Sequence, residues 1–236
     1  VTSGNTLYLD STTTTIGTSS NLTGGGTIDF LGNQTVNFDS AYTISSASTL
    51  FDPTGTITFA GAGTLTIVSG GSLKMTADTA SVAIDNQGNL DIESGASTID
   101  NSTNTFTHSG VLTIRSTASN AGLVIANGFT NAGTITLDNA DSSARSQSLT
   151  VSSGTLTNAG TINTTRTGGG SATHSINANI INTGTIDIDA TASITATTFD
   201  TSNGDIDVAS GNTLYLDSTT TTIGTNSNLT GGGTID

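Results

Sequence analysis

The chain has 236 residues, only 9% charged and 4% aromatic, with 18 acids against four basic residues and neither cysteine nor tryptophan. A formal charge of −14 excludes the basic footprint of a nucleic-acid binder and sets the chain against anionic membrane surfaces. The missing cysteines exclude a disulfide scaffold and a thiolate metal site, and no apolar run reaches the ~18 residues that would span a bilayer.

Residues 3–29, SGNTLYLDSTTTTIGTSSNLTGGGTID, return at 210–236 with one change, Ser19 to Asn226, at an offset of 210 − 3 = 207 residues. Such an echo marks an array. The chain reads as one continuous domain, 1–236, holding one tandem repeat (3–209) and the start of the next (210–236), a window on a longer polypeptide. Within the opening, Leu7 and Leu9 share a face opposite Tyr8, and residues 12–16 are β-branched throughout, which suits a pleated strand and disfavours a helix. The same alternation continues in Thr35-Val36-Asn37-Phe38, Thr56-Ile57-Thr58-Phe59, Thr64-Leu65-Thr66-Ile67 and Ser72-Leu73-Lys74-Met75. Pro53 falls between strands, where a missing N–H does least harm. No stretch shows helical periodicity over three turns, so no helix is expected.

The middle of the chain carries the motif N-x-G-x-[IL]: Asn86/Gly88/Leu90, Asn131/Gly133/Ile135, Asn158/Gly160/Ile162 and Asn182/Gly184/Ile186, with looser forms at His108/Gly110/Leu112 and Ser202/Gly204/Ile206. The glycines thus recur at positions 88, 110, 133, 160, 184 and 204. A circuit of about 23 residues built from two or three short strands, stacked on its neighbours at about 4.8 Å, explains that spacing. It predicts an all-β parallel β-helix (β-solenoid) with about nine coils per 207-residue repeat. Each N-x-G would sit at one corner, the glycine at positive φ, the asparagine bonded to backbone or to the asparagine above, and the following Ile or Leu facing inward. Ser69-Gly70-Gly71, Ser94-Gly95 and Ser153-Gly154 would mark a second corner.

The motif and its Gly/Asn/Thr/Ser-rich, cysteine-free, acidic setting resemble the shafts of filamentous-haemagglutinin-type adhesins and related autotransporter passenger domains. That resemblance implies a right-handed parallel β-helix exported across a bacterial outer membrane and displayed at the cell surface or in the extracellular matrix.

No catalytic constellation appears, so an enzyme is not expected. The basic residues, Lys74, Arg115, Arg145 and Arg166, are scattered, and His108 and His174 have no Glu or Cys at metal-ligand spacing. Asp29, Asp91, Asp187 and Asp207 each follow the inward residue of a corner, so they should form an outward column. One expectation is that Ca²⁺ bridges this column. The other is that the charges are solvated and keep fibres apart, with no cofactor. Thr56/Thr58, Thr64/Thr66, Thr134/Thr136 and Thr155/Thr157 are T-x-T pairs of the kind that order water on ice-binding solenoids, but they do not recur at the coil period. Tyr8 and Tyr215, one per repeat, could stack on a sugar.

The leading functional expectation is therefore a structural and adhesive extracellular fibre, a rod segment of a surface or biofilm-matrix protein. Its partners would be successive copies of the repeat stacked end to end, then other fibres, cell surfaces or polysaccharide, with no nucleic acid and no membrane span. The alternatives are a tandem immunoglobulin-like adhesin, two ~100-residue domains per repeat, and an ice-binding or polysaccharide-binding solenoid.

Overall fold

The computed structural model describes residues 1–236 apart from 19, 21, 23, 45–49 and 52. Alternation along the chain becomes alternation in space. In Asn89–Glu93, Leu90 and Ile92 are wholly buried, while Asn89, Asp91 and Glu93 face outward. Strands this short cannot bury a face by themselves, and here each does so by lying parallel on the strand one circuit earlier.

Ten circuits result among the described residues. On the first face the inward column runs Leu7, Ile28, Phe51, Leu73, Leu90, Leu112, Ile135, Ile162, Ile186, Ile206, Leu229, each the register partner of the next. A second face starts with Thr13–Ile16, Gln34–Phe38 and Ile57–Ala60, and a third with Tyr42–Ile44, Thr64–Ile67 and Ala83–Asn86. From Ala121–Asn131 onward, single long strands cover both of these faces, namely Gln147–Asn158, His174–Asn182, Ala192–Asp200 and Thr213–Thr222. They bend between the faces where the register shifts, as at Asn127/Phe129 and Thr150/Thr155. Among the described residues there is no helix and every ladder is parallel. The fold is a β-solenoid, and parallel pairing overturns the immunoglobulin-like alternative, whose sheets are antiparallel. At about 4.8 Å per circuit the ten circuits extend roughly 48 Å.

The interior is filled by these columns. Its bulkiest part lies near the start, where Phe30 meets Phe51 and Phe59 edge-on at 5.3 and 6.0 Å between ring centres. Tyr42 stacks on Phe51 and gives its hydroxyl proton to the Leu22 carbonyl at 2.7 Å. Burial pushes the Tyr42 phenol up to about 12, the Leu22 bond opposing it.

Two expectations about turns are corrected. Gly88, Gly110, Gly133, Gly160, Gly184 and Gly204 are not at positive φ. What they need is room, because a Cβ on Gly133, Gly160 or Gly184 would overlap the carbonyl oxygen of the corner glycine one circuit below. Circuits approach there closely enough for Thr134, Thr161 and Thr185 to donate their N–H groups to the carbonyls of Gly110, Gly133 and Gly160, each at 2.9 Å. Nor do the Ser-Gly turns share one corner. Ser69-Gly70-Gly71 joins the third face to the first, Ser94-Gly95 the first to the second, and Ser153-Gly154 the second to the third. Positive φ is found in these turns, at Gly70 (84°), Ser94 (50°), Gly95 (84°) and Gly154 (76°).

Candidate functional site: corner ladder and outward columns

At the corner between third and first faces, the motif asparagines form a buried ladder. Asn131 Nδ2 donates to Asn158 Oδ1 at 2.7 Å, Asn158 Nδ2 to Asn182 Oδ1 at 2.8 Å, and Asn182 Nδ2 to Thr201 Oγ1 at 3.1 Å. Each amide nitrogen also donates to a first-face carbonyl: Asn86 to Val111, Asn131 to Thr161, Asn158 to Thr185 and Asn182 to Asp205, all between 2.9 and 3.1 Å. An asparagine suits this position because one side chain supplies both donors and an acceptor. His108 takes one rung. Its Nε2 lies 3.2 Å from the Thr134 carbonyl and its Nδ1 3.0 Å from Asn86 Nδ2, so the ring is neutral, with the proton on Nε2.

Burial holds the His108 imidazole down at about 4, against the opposing pull of the Thr134 carbonyl. His174, wholly buried between the first and second faces, is lowered to about 4 by burial, which outweighs the raising effect of Asp138. A histidine whose folded value lies below its unfolded one stabilises the fold above about pH 6.5 and loses that contribution as pH falls toward 4. For His108 the drop from 6.5 to about 4 corresponds to about 3 kcal/mol. Asp78 works in the opposite sense. It is buried and raised to about 6 by burial against two backbone N–H donors, Ile57 and Thr76, each at 2.7 Å, so its unfavourable term fades on acidification. The expected outcome is that His108→Asn, which restores a regular rung, shrinks the stability lost between pH 7 and pH 4 by about 3 kcal/mol in urea titrations. An unchanged loss would show that the ring is not a neutral rung.

The four carboxylates expected to point outward lie in one column of the first face, but Asp29 is buried there and only two are neighbours. Asp187 is the register partner of Asp207. Asp91 sits between Lys74 and Thr113, and Asp29 beside Tyr8, with its Oδ1 accepting from Thr54 Oγ1 at 3.1 Å. Burial raises Asp187, and the charges of Asp189 and Asp207 raise it further. Among the described residues no three metal-ligating side chains of the Asp, Glu, His or Cys type converge.

Sequence reasoning missed the outward column of the third face. Register brings Thr43, Thr66, Asp85, Thr107, Thr130, Thr157, Ile181, Asp200 and Thr222 into one outward column. Thr64/Thr66 and Thr155/Thr157 therefore share a face, joined by the overlooked Thr105/Thr107 and Thr220/Thr222. Unequal circuits had hidden the alignment: the one from Ser72 to Asn89 is far shorter than the one from Thr134 to Thr161. Thr58 lies instead on the second face, and Thr134 and Thr136 on the first. Tyr8 and Tyr215 are both exposed, at 61% and 43%.

No curated protein and no solved structure matches the chain. One family does, over residues 5–235, described as hyphally regulated cell wall protein N-terminal. The solenoid shaft expected from the bacterial adhesins thus stands as architecture, whereas the match is to a hyphal wall family and not to the bacterial one. Family and fold together are those of a cell-surface protein, and the chain belongs to the hyphally regulated cell wall protein N-terminal family.

Proposed function

We propose that this chain is a rigid, non-catalytic segment of a tandem-repeat wall protein whose work is reach and repeated adhesive contact. The observation that supports this reading is the state of the duplicated residues. Ile16 and Ile28 are buried to 2% and 0% exposure, but their equivalents Ile223 and Ile235 are exposed to 47% and 36%. Leu229 is likewise 47% exposed, whereas its equivalent Leu22 packs against the core. In the first copy a following circuit covers these side chains, so further circuits are the partner that the last ones fit. Repeats touching only their neighbours lengthen a rod without redesigning its core, and weak contacts repeated along it gain avidity.

Chains of one, two and three repeats should grow by about 45 Å per added repeat in small-angle scattering, with a constant cross-section. Immobilised on beads, they should hold to isolated wall material with retention rising faster than repeat number. Growth that stops, or a scattering profile of beads on hinges, overturns the rod. Retention independent of repeat number overturns the adhesive role.

A further inference from the structure

The duplicated stretch occupies different faces in its two occurrences. Thr6–Asp10 lies on the first face against Thr27–Leu31, while residues 214–217 of its copy lie on the second against 192–195. Thr13–Ile16 lies on the second face, while residues 220–222 pair with Thr198, Phe199 and Asp200 on the third. Leu22 sits beneath Tyr42 of the third face, whereas Leu229 pairs with Ile206 on the first. Thr27 and Ile28 belong to the first face, but Thr234 and Ile235 pair with Thr213 and Leu214 on the second. All four segments have advanced by one face in the same direction.

Residue counts explain the shift. The inward column climbs from Leu7 to Ile206 in nine circuits, 206 − 7 = 199 residues, leaving 207 − 199 = 8 to turn a corner onto the next face. Ten circuits reach Leu229, so a circuit takes about 22 residues on average and a repeat about nine and one-third circuits. The copy keeps its alternation on the new face, Leu214 wholly buried and Tyr215 outward.

Granting the array reading above, we propose that successive repeats are turned by one face, a third of a turn, about the fibre axis. Residues carried once per repeat, such as Tyr8 and Tyr215, then appear on each face in turn and return to their starting face only after three repeats. The fibre displays its contacts all round, and no outward stripe runs unbroken along one side where two fibres could zip together.

The chain has no cysteine, so paired substitutions report the arrangement directly. Ser193→Cys/Tyr215→Cys joins outward register partners on the second face, and Ser175→Cys/Ser193→Cys is a control on that face that does not involve the duplicated stretch. An unturned copy would instead bring Tyr215 into the first-face column of Asp187. With dibromobimane, the first pair and the control should cross-link and Asp187→Cys/Tyr215→Cys should not, in this chain and in one lengthened by a further repeat. Cross-linking of the Asp187 pair, or failure of the Ser193/Tyr215 pair while the control succeeds, overturns the rotation and leaves the rod, tested by scattering, standing. Failure of the control as well would overturn the second-face pairing and the rotation with it.

Discussion

Gly160→Ala is expected to cost about 3 kcal/mol or more and to abolish cooperative folding of the circuits around it. A Cβ there overlaps the Gly133 carbonyl oxygen and comes against the Gly133 backbone, and it can be accommodated only by separating two circuits. Separation would break the Thr161 N–H to Gly133 carbonyl bond of 2.9 Å and misalign the Ile135 and Ile162 rungs of the core. Because each circuit is held by its neighbours, the damage should split the urea transition instead of merely shifting it. Gly211→Ala supplies the contrast. Gly211 is at φ 81° with nothing within 4 Å of where a methyl group would sit, so its cost should be only the left-handed strain of about 1 kcal/mol. Equal losses at the two sites would mean that close stacking of circuits is not what the corner glycines serve.

Asn158→Ala is expected to lower stability by about 3 kcal/mol, since it strips partners from one buried and one half-buried acceptor at roughly 1–3 kcal/mol each. Those acceptors are Asn182 Oδ1 and the Thr185 carbonyl, and Asn131 Nδ2 loses one of its two bonds. Asn158→Asp at pH 7 should be worse, because a carboxylate has no proton to give either acceptor and would be a buried, unpaired charge. Its carboxyl would titrate above the ordinary range, so the deficit relative to the parent should narrow as pH falls and the group becomes a donor. Urea titrations of both variants at pH 7 and pH 5 test this. Asn158→Asp matching the parent at pH 7 would show that the ladder is not a buried donor chain.

Both sites were visible as residues, though not in full as physics. The N-x-G repeat located the corner, and the Leu and Ile after each glycine located the inward column. Why glycine is needed was not legible, because a turn glycine and a glycine crowded by the chain one circuit below read alike; only the stacked backbone distinguishes them. His108 could be aligned with the asparagines by spacing, yet its role as a neutral rung depends on two partners, at positions 86 and 134, that spacing alone does not bring together. The third-face threonines escaped for a related reason. Circuits vary in length, so a column in space is no fixed period in sequence.

Local sequence by itself determined that the chain forms strands, which side chains point inward and roughly how long a circuit is, because alternation and glycine spacing act over a few residues. The face on which a strand lies was decided only by the tertiary structure. The same strand residues sit on the first face at 6–10 and on the second at 213–217. No preference within those residues separates the two placements. What differs is the number of residues wound beneath them, since each strand must take the edge left by the circuit before it.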